Sequence, residues 1–405
     1  MRIKSFMACG AAIIALTAAP VMATTINLID LGGVKGSQAE RGFKIAAAYW
    51  SSMFTNSAVI DLGVKFSPLD PGIIGSTGSN RVDFATASWE RQLNLTKSGS
   101  TIDQGIVLPR LTDGGASFIT NGTTTTAATA TAPAEINDDL SKLAFNPGAT
   151  TSSQTLYLNS SLVKAIGGST GQQPGVRDGN VTFSSNFAFD FDPTDGISDD
   201  TFDFIGVAIH EIGHALGFVS GVDLLDVYGI GKGPGSGTLG YSLNDTSIYS
   251  ALDMFRYSKD PTNVVLGTAP VLDLSVGGDK YFSIDGGKTA LFGNRFSTGR
   301  YNGDGQQASH WKDAPGCAIG NGIMDPTFCY EQTGYVTGLD LAAYDAMGWN
   351  LSTDALTYKT TSTAQIYSQF ASSVPEPTTW GMMLMGFGLV GATMRRRVTK
   401  VSYAA

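Results

Sequence analysis

Histidine, glutamate and cysteine are scarce in this 405-residue chain. There are three His, three Cys and six Glu among 35 acidic residues, so 29 are Asp. Charged residues make up 15% in all, too few for a solvated, disordered chain or a coiled coil. Basic residues are outnumbered and the net charge is −9, so no positive field exists to attract phosphate, and nucleic-acid binding is excluded. No internal repeat and no phosphate-cradling loop occurs. What is abundant is apolar residue (42%) and glycine (50 residues), enough for a core with many turns and short strands. With so few His and Glu, each position of those types carries information.

Both ends read as processing signals. Arg2 and Lys4, the apolar stretch Phe6–Ala19 and the small residues of Val21-Met22-Ala23 form a secretory signal over 1–23, with a mature start at Thr24. Near the other end, Val374-Pro375-Glu376-Pro377 leads into an uncharged run. That run, Thr378–Met394, is 17 residues long, the lower limit for crossing hydrocarbon, and Arg395-Arg396-Arg397 follows it. This segment, 374–405, resembles the PEP-CTERM sorting signal of Gram-negative bacteria. The resemblance implies transient insertion in the inner membrane, recognition by an exosortase-type enzyme, and delivery to the cell surface or extracellular matrix. Cys9 leaves with the signal. Cys317 and Cys329 remain, and in an oxidising compartment their default state is a disulfide.

Between the ends, the spacing of Phe43, Ile45, Ala46, Tyr49, Trp50 and Phe54 predicts a helix over Ala39–Phe54, and alternation predicts a strand over Ala58–Phe66. The Thr/Ala-rich stretch Asn121–Pro133 reads as a low-complexity loop. Asn180–Phe191 reads as a strand, followed by an acidic turn containing Asp190, Asp192, Asp195, Asp199 and Asp200. A Ca²⁺ loop is conceivable there, although turn and capping roles account for these residues better. From Tyr228 to Gln307 the chain is rich in Gly, Ser and Asp, with short strand-like pieces at Val264–Leu266 and Tyr281–Ile284. Residues 351–373 read as a polar linker.

The chemistry is concentrated in Phe202–Val219, FDFIGVAIHEIGHALGFV. Asp200 or Thr201 is the expected helix cap, and Gly217 supplies the conformation that ends the helix. His210 and His214, four apart, share one helix face and reach one ion, while Glu211 leans toward a water without being a ligand. Imidazole suits Zn²⁺, which in catalytic sites takes three protein ligands and keeps a fourth position open. A third ligand is needed. No Glu occurs between Glu211 and Glu331, and Ser220 stands where a compact site places its last ligand. Asp223, Asp226 and His310 are left.

His310, followed by Gly322-Ile323-Met324-Asp325-Pro326, resembles the order found in leishmanolysin-type metzincins, where a long insertion separates HExxHxxGF from a third histidine and a methionine turn. The resemblance implies His210, His214 and His310 as zinc ligands, Glu211 as general base, Gly217 as turn glycine and Met324 as the turn methionine. With Pro326 two residues past Met324, no tyrosine switch ligand is implied, and Tyr330 is a neighbour. It implies an α+β zincin over 24–350: a twisted mixed sheet and active-site helix in the N-terminal lobe, then an irregular C-terminal lobe, with 226–309 as insertion. The implied activity is zinc-dependent endopeptidase hydrolysis of a protein or peptide substrate. The strand ending near Phe191 offers an edge for that peptide. A Cys317–Cys329 bridge would brace the methionine turn. The alternative function is a non-catalytic, zinc-containing surface or matrix protein.

Overall fold

The computed structural model describes residues 24–259, 271–317 and 319–374. The expected signal 1–23, the piece Val264–Leu266 and the sorting segment from Pro375 onward lie outside the described residues. Among those described, no helix is long and apolar enough to cross a membrane.

The chain is mixed α+β. β1 (Thr25–Gly32), α1 (Gln38–Met53) and β2 (Val59–Ser67) come first, followed by β3 (Gly75–Ser79), β4 (Arg81–Ala85) and α2 (Thr86–Thr96). A long hairpin of β5 (Phe118–Thr126) and β6 (Glu135–Asn146) precedes β7 (Thr155–Asn159) and β8 (Gly179–Ser184). Then come α3 (Phe204–Ala215) and α4 (Val222–Tyr228). The chain closes with β9 (Tyr335–Val336), α5 (Gly338–Met347), β10 (Thr361–Ser362) and α6 (Thr363–Phe370).

The principal sheet has the order β1-β2-β8-β3, parallel except for β3, which runs antiparallel to β8. Because β8 is interior, the peptide-accepting edge expected near Phe191 is not there. Phe189–Asp190 forms a separate short pairing with Phe202–Asp203, and β3 is the free edge nearest the site. The apolar stripe of α1 packs on this sheet and on α3. Phe43, Phe183 and Phe204 meet with ring centroids 4.6–5.0 Å apart, and the Trp50 indole donates to the Ile209 carbonyl at 3.0 Å.

Two further expectations are corrected. The Thr-rich stretch is not a loop throughout: Gly122–Thr126 pairs with Glu135–Asp139 in the β5–β6 hairpin, where β-branched threonines suit a pleated surface. The 351–373 linker is folded onto the domain. β10 pairs with β9, Ile366 and Tyr367 are buried, and the Arg41 guanidinium of α1 donates to the Tyr367 hydroxyl at 2.8 Å and to the Ala371 and Val374 carbonyls.

Candidate metal centre

Every residue of α3 is buried. Its cap is Asp203, not Asp200 or Thr201. The Asp203 carboxylate accepts from the Gly206 N–H (3.0 Å), the Gly334 N–H (3.0 Å) and the Thr363 hydroxyl, which joins the helix start to the C-terminal elements. Gly217 ends the helix at φ +125°, a conformation costly for a residue with a Cβ. That turn curls the Phe218 carbonyl back to 2.6 Å from the His214 Nδ1.

The three histidines converge. Nε2–Nε2 separations are 3.0 Å (His210–His214), 3.1 Å (His214–His310) and 3.3 Å (His210–His310). On the far side of each ring, Nδ1 faces a carbonyl: Ile323 for His210 (2.7 Å), Phe218 for His214 and Gln307 for His310 (3.3 Å). A carbonyl only accepts, so each Nδ1 carries the proton and each Nε2 turns a bare lone pair toward the other two. Three lone pairs at such range repel one another unless a cation lies among them. Burial keeps the rings neutral, holding His210 down to about 4 and His214 to about 3, with His310 well below its usual range.

A tetrahedral zinc with Zn–N bonds of about 2.0–2.1 Å needs nitrogens about 3.3–3.4 Å apart, close to this triangle. The donor set therefore fits zinc. Among the described residues this is the one group of His, Cys, Asp or Glu placed to share an ion. In the acidic turn, Asp190 accepts from Asp192 and Ser198, and Asp192 from Thr194, as turn residues do.

The other candidates for third ligand hold the loops in place. The Ser220 hydroxyl donates to Asp253 at 2.5 Å. The Asp223 carboxylate takes the Ala308 and Ser309 N–H groups, immediately before His310, and Asp226 takes those of Tyr301 and Asn302. Thus α4 secures the return of the 226–309 segment. Segment 226–309 includes its own small sheet, in which Arg256–Ser258 pairs with Val271–Leu272 and Tyr281–Phe282.

Met324 is fully buried beneath α3. A Cβ on Gly213 would stand 2.8 Å from the Met324 sulfur and 2.5 Å from the Tyr344 hydroxyl, so glycine is needed for this approach. The turn is held by Asp340, whose carboxylate accepts from the Trp311 indole (2.9 Å), Ile323 N–H (3.0 Å), Met324 N–H (3.2 Å) and Thr337. Since Ile323 receives the His210 Nδ1–H, Asp340 reaches the metal centre through one backbone turn. Cys317 and Cys329 form the expected disulfide around it.

Glu211, next to His210 on α3, is buried. The Thr77 hydroxyl of β3 lies 2.7 Å from its Oε2 and 2.8 Å from its carbonyl oxygen. A Cβ on Gly75 would lie 2.5 Å from Oε1. Burial raises the Glu211 carboxyl to about 7, against the lowering effect of Thr77. Thr77, Asp203 and Asp340 were not singled out from the sequence. A Ser or Thr in a Gly-rich edge strand and an aspartate in a distant helix carry no local signature of a site.

Residues 373–397 match the family model described as the PEP-CTERM protein-sorting motif. The chain carries a PEP-CTERM signal. It implies export in a Gram-negative bacterium and recognition by an exosortase-type sorting enzyme at the membrane. The PEP-CTERM segment begins where α6 and its following turn end against Arg41. No curated protein and no solved structure matches the chain.

Proposed function

We propose that this is an exported zinc endopeptidase of leishmanolysin-like metzincin type, acting at the cell surface or in the extracellular matrix. The observation that carries this reading is the triangle of bare Nε2 atoms of His210, His214 and His310, with Glu211 next to His210 on the same buried helix. A zinc ion held by His210, His214 and His310 would supply a Lewis acid to polarise a peptide carbonyl and acidify a water. Glu211 accepts the proton of the attacking water and passes it to the leaving amine. Thr77 occupies Oε2, and Gly75, lacking a Cβ, leaves room at Oε1 for that transfer. The outer edge of β3 offers unpaired N–H and C=O groups along which an extended peptide adds as a strand. Against the non-catalytic alternative, a closed structural zinc site takes four protein ligands, and the described residues offer three beside a carboxylate suited to be a base.

The test compares the zinc-loaded protein with Glu211→Gln on a denatured protein substrate. Both are expected to hold one zinc, and the variant to lose activity by about 100-fold or more. Equal cleavage by the variant overturns the assignment of the base, and no cleavage by either overturns the endopeptidase reading.

A further inference from the structure

This inference rests on the endopeptidase reading and concerns what the substrate carries beside the scissile bond. Alternate residues of β3 face α3: Gly75 lies against the Glu211 side chain, Thr77 bonds it, and the Ser79 hydroxyl donates to the His214 carbonyl at 3.3 Å. Arg81, the next residue of that row, opens β4. Its cross-strand partner in β7 is Asn159, whose amide donates to the His214 (2.8 Å) and Ala215 (3.1 Å) carbonyls. Directly paired residues share a face, so Arg81 also looks toward the C-terminal end of α3. Its guanidinium lies 5.6 Å from the Tyr157 ring centroid, and its charge is felt at His214.

Arg81 is half-buried, yet among the described residues its guanidinium has no hydrogen-bond acceptor and no ion-pair partner. The two nearby aspartates are committed elsewhere. Asp253 accepts from Ser220, Gly221 and Ser250, and Asp223 from Ala308 and Ser309. Their charges partly offset the field of the arginine, so recognition of a ligand falls to direct hydrogen bonds. A planar fork of donors, partly desolvated and unmatched, suits a carboxylate held by two parallel bonds.

We propose that Arg81 is a specificity-determining residue that binds a carboxylate of the substrate, either an acidic side chain or the free C-terminus. Thr77, at the base, and Arg81 are four residues apart, at most about 14 Å of extended chain, which places that carboxylate within about four residues of the scissile bond.

Matched peptides carrying Glu, Gln or Lys at each of four positions on either side of the cleaved bond, with free or amidated C-termini, are assayed with the zinc-loaded full chain. At one position Glu is expected to exceed Gln by about 10- to 100-fold in kcat/KM, mainly through KM. Arg81→Gln collapses the ratio toward one, and Arg81→Lys restores part of it. Dependence on the free terminus and not on a side chain identifies the terminal carboxylate as the group bound. A wild-type enzyme without acidic preference, or one whose preference survives Arg81→Gln, overturns this inference while leaving the endopeptidase reading intact. If nothing is cleaved, that reading fails, and fluorescence anisotropy of labelled Glu and Gln peptides decides the role of Arg81 separately. Tighter binding of the Glu peptide by Glu211→Gln than by the Glu211→Gln/Arg81→Gln double variant supports it, and equal binding overturns it.

Discussion

Replacing Asp340 with alanine removes one buried carboxylate and strands the donors that converge on it: the Trp311 indole, the Ile323 and Met324 N–H groups, and the N–H and hydroxyl of Thr337. Each bond to a charged group contributes about 1.5–3 kcal/mol. Part of the loss is recovered, because burial penalises the Asp340 charge and raises its pKa. The net cost is about 3–5 kcal/mol, near the top of the range for one substitution, and about 4–7 °C in Tm for a folded part of this size. A second effect follows from the turn. Ile323 orients His210, and loss of such an outer partner weakens metal binding by about 10- to 100-fold. Asp340→Asn, which keeps one oxygen acceptor, falls between. Thermal denaturation reads the first effect and competition with a chelator the second. An Asp340→Ala protein with unchanged Tm and unchanged zinc affinity refutes this account of the turn.

Reducing the Cys317–Cys329 bridge, whose half-cystines are 12 residues apart, removes about 3 kcal/mol and loosens the zinc site. Full activity and zinc content after complete reduction contradict this. Glu90 in α2 has a buried oxygen without a partner, and burial raises its pKa from 4.5 to about 7. The native state therefore binds a proton that the unfolded state has lost between those values, and stability falls as pH rises through that window. Glu90→Gln is expected to flatten that slope and raise Tm at pH 8; an unchanged pH profile of Tm argues against it.

The three histidines and Glu211 were legible because their signal is local or rare. His210, Glu211 and His214 sit on one predicted helix, and His310 is the remaining histidine of three. The cysteine pairing followed from compartment and count. What was not legible depends on partners distant in sequence. The threonines of β5 read as a loop until β6 supplies the ladder, and residues 351–373 read as a linker because their partners are distant in sequence: α6 packs on α1 and α3, and Arg41 bonds Tyr367. Likewise, Asn180–Phe191 reads as a strand, but sheet order decides which strand is an edge. The helix cap moved from Asp200 or Thr201 to Asp203 because a buried cap needs partners such as Gly334 and Thr363, which the local pattern does not show.

The most direct test of the central claim is an anomalous difference map at the zinc edge from crystals of the zinc-loaded protein. One peak bonded to the Nε2 atoms of His210, His214 and His310, with no fourth side chain, is the result expected. No peak between those rings, or an ion closed off by a fourth protein ligand, contradicts it.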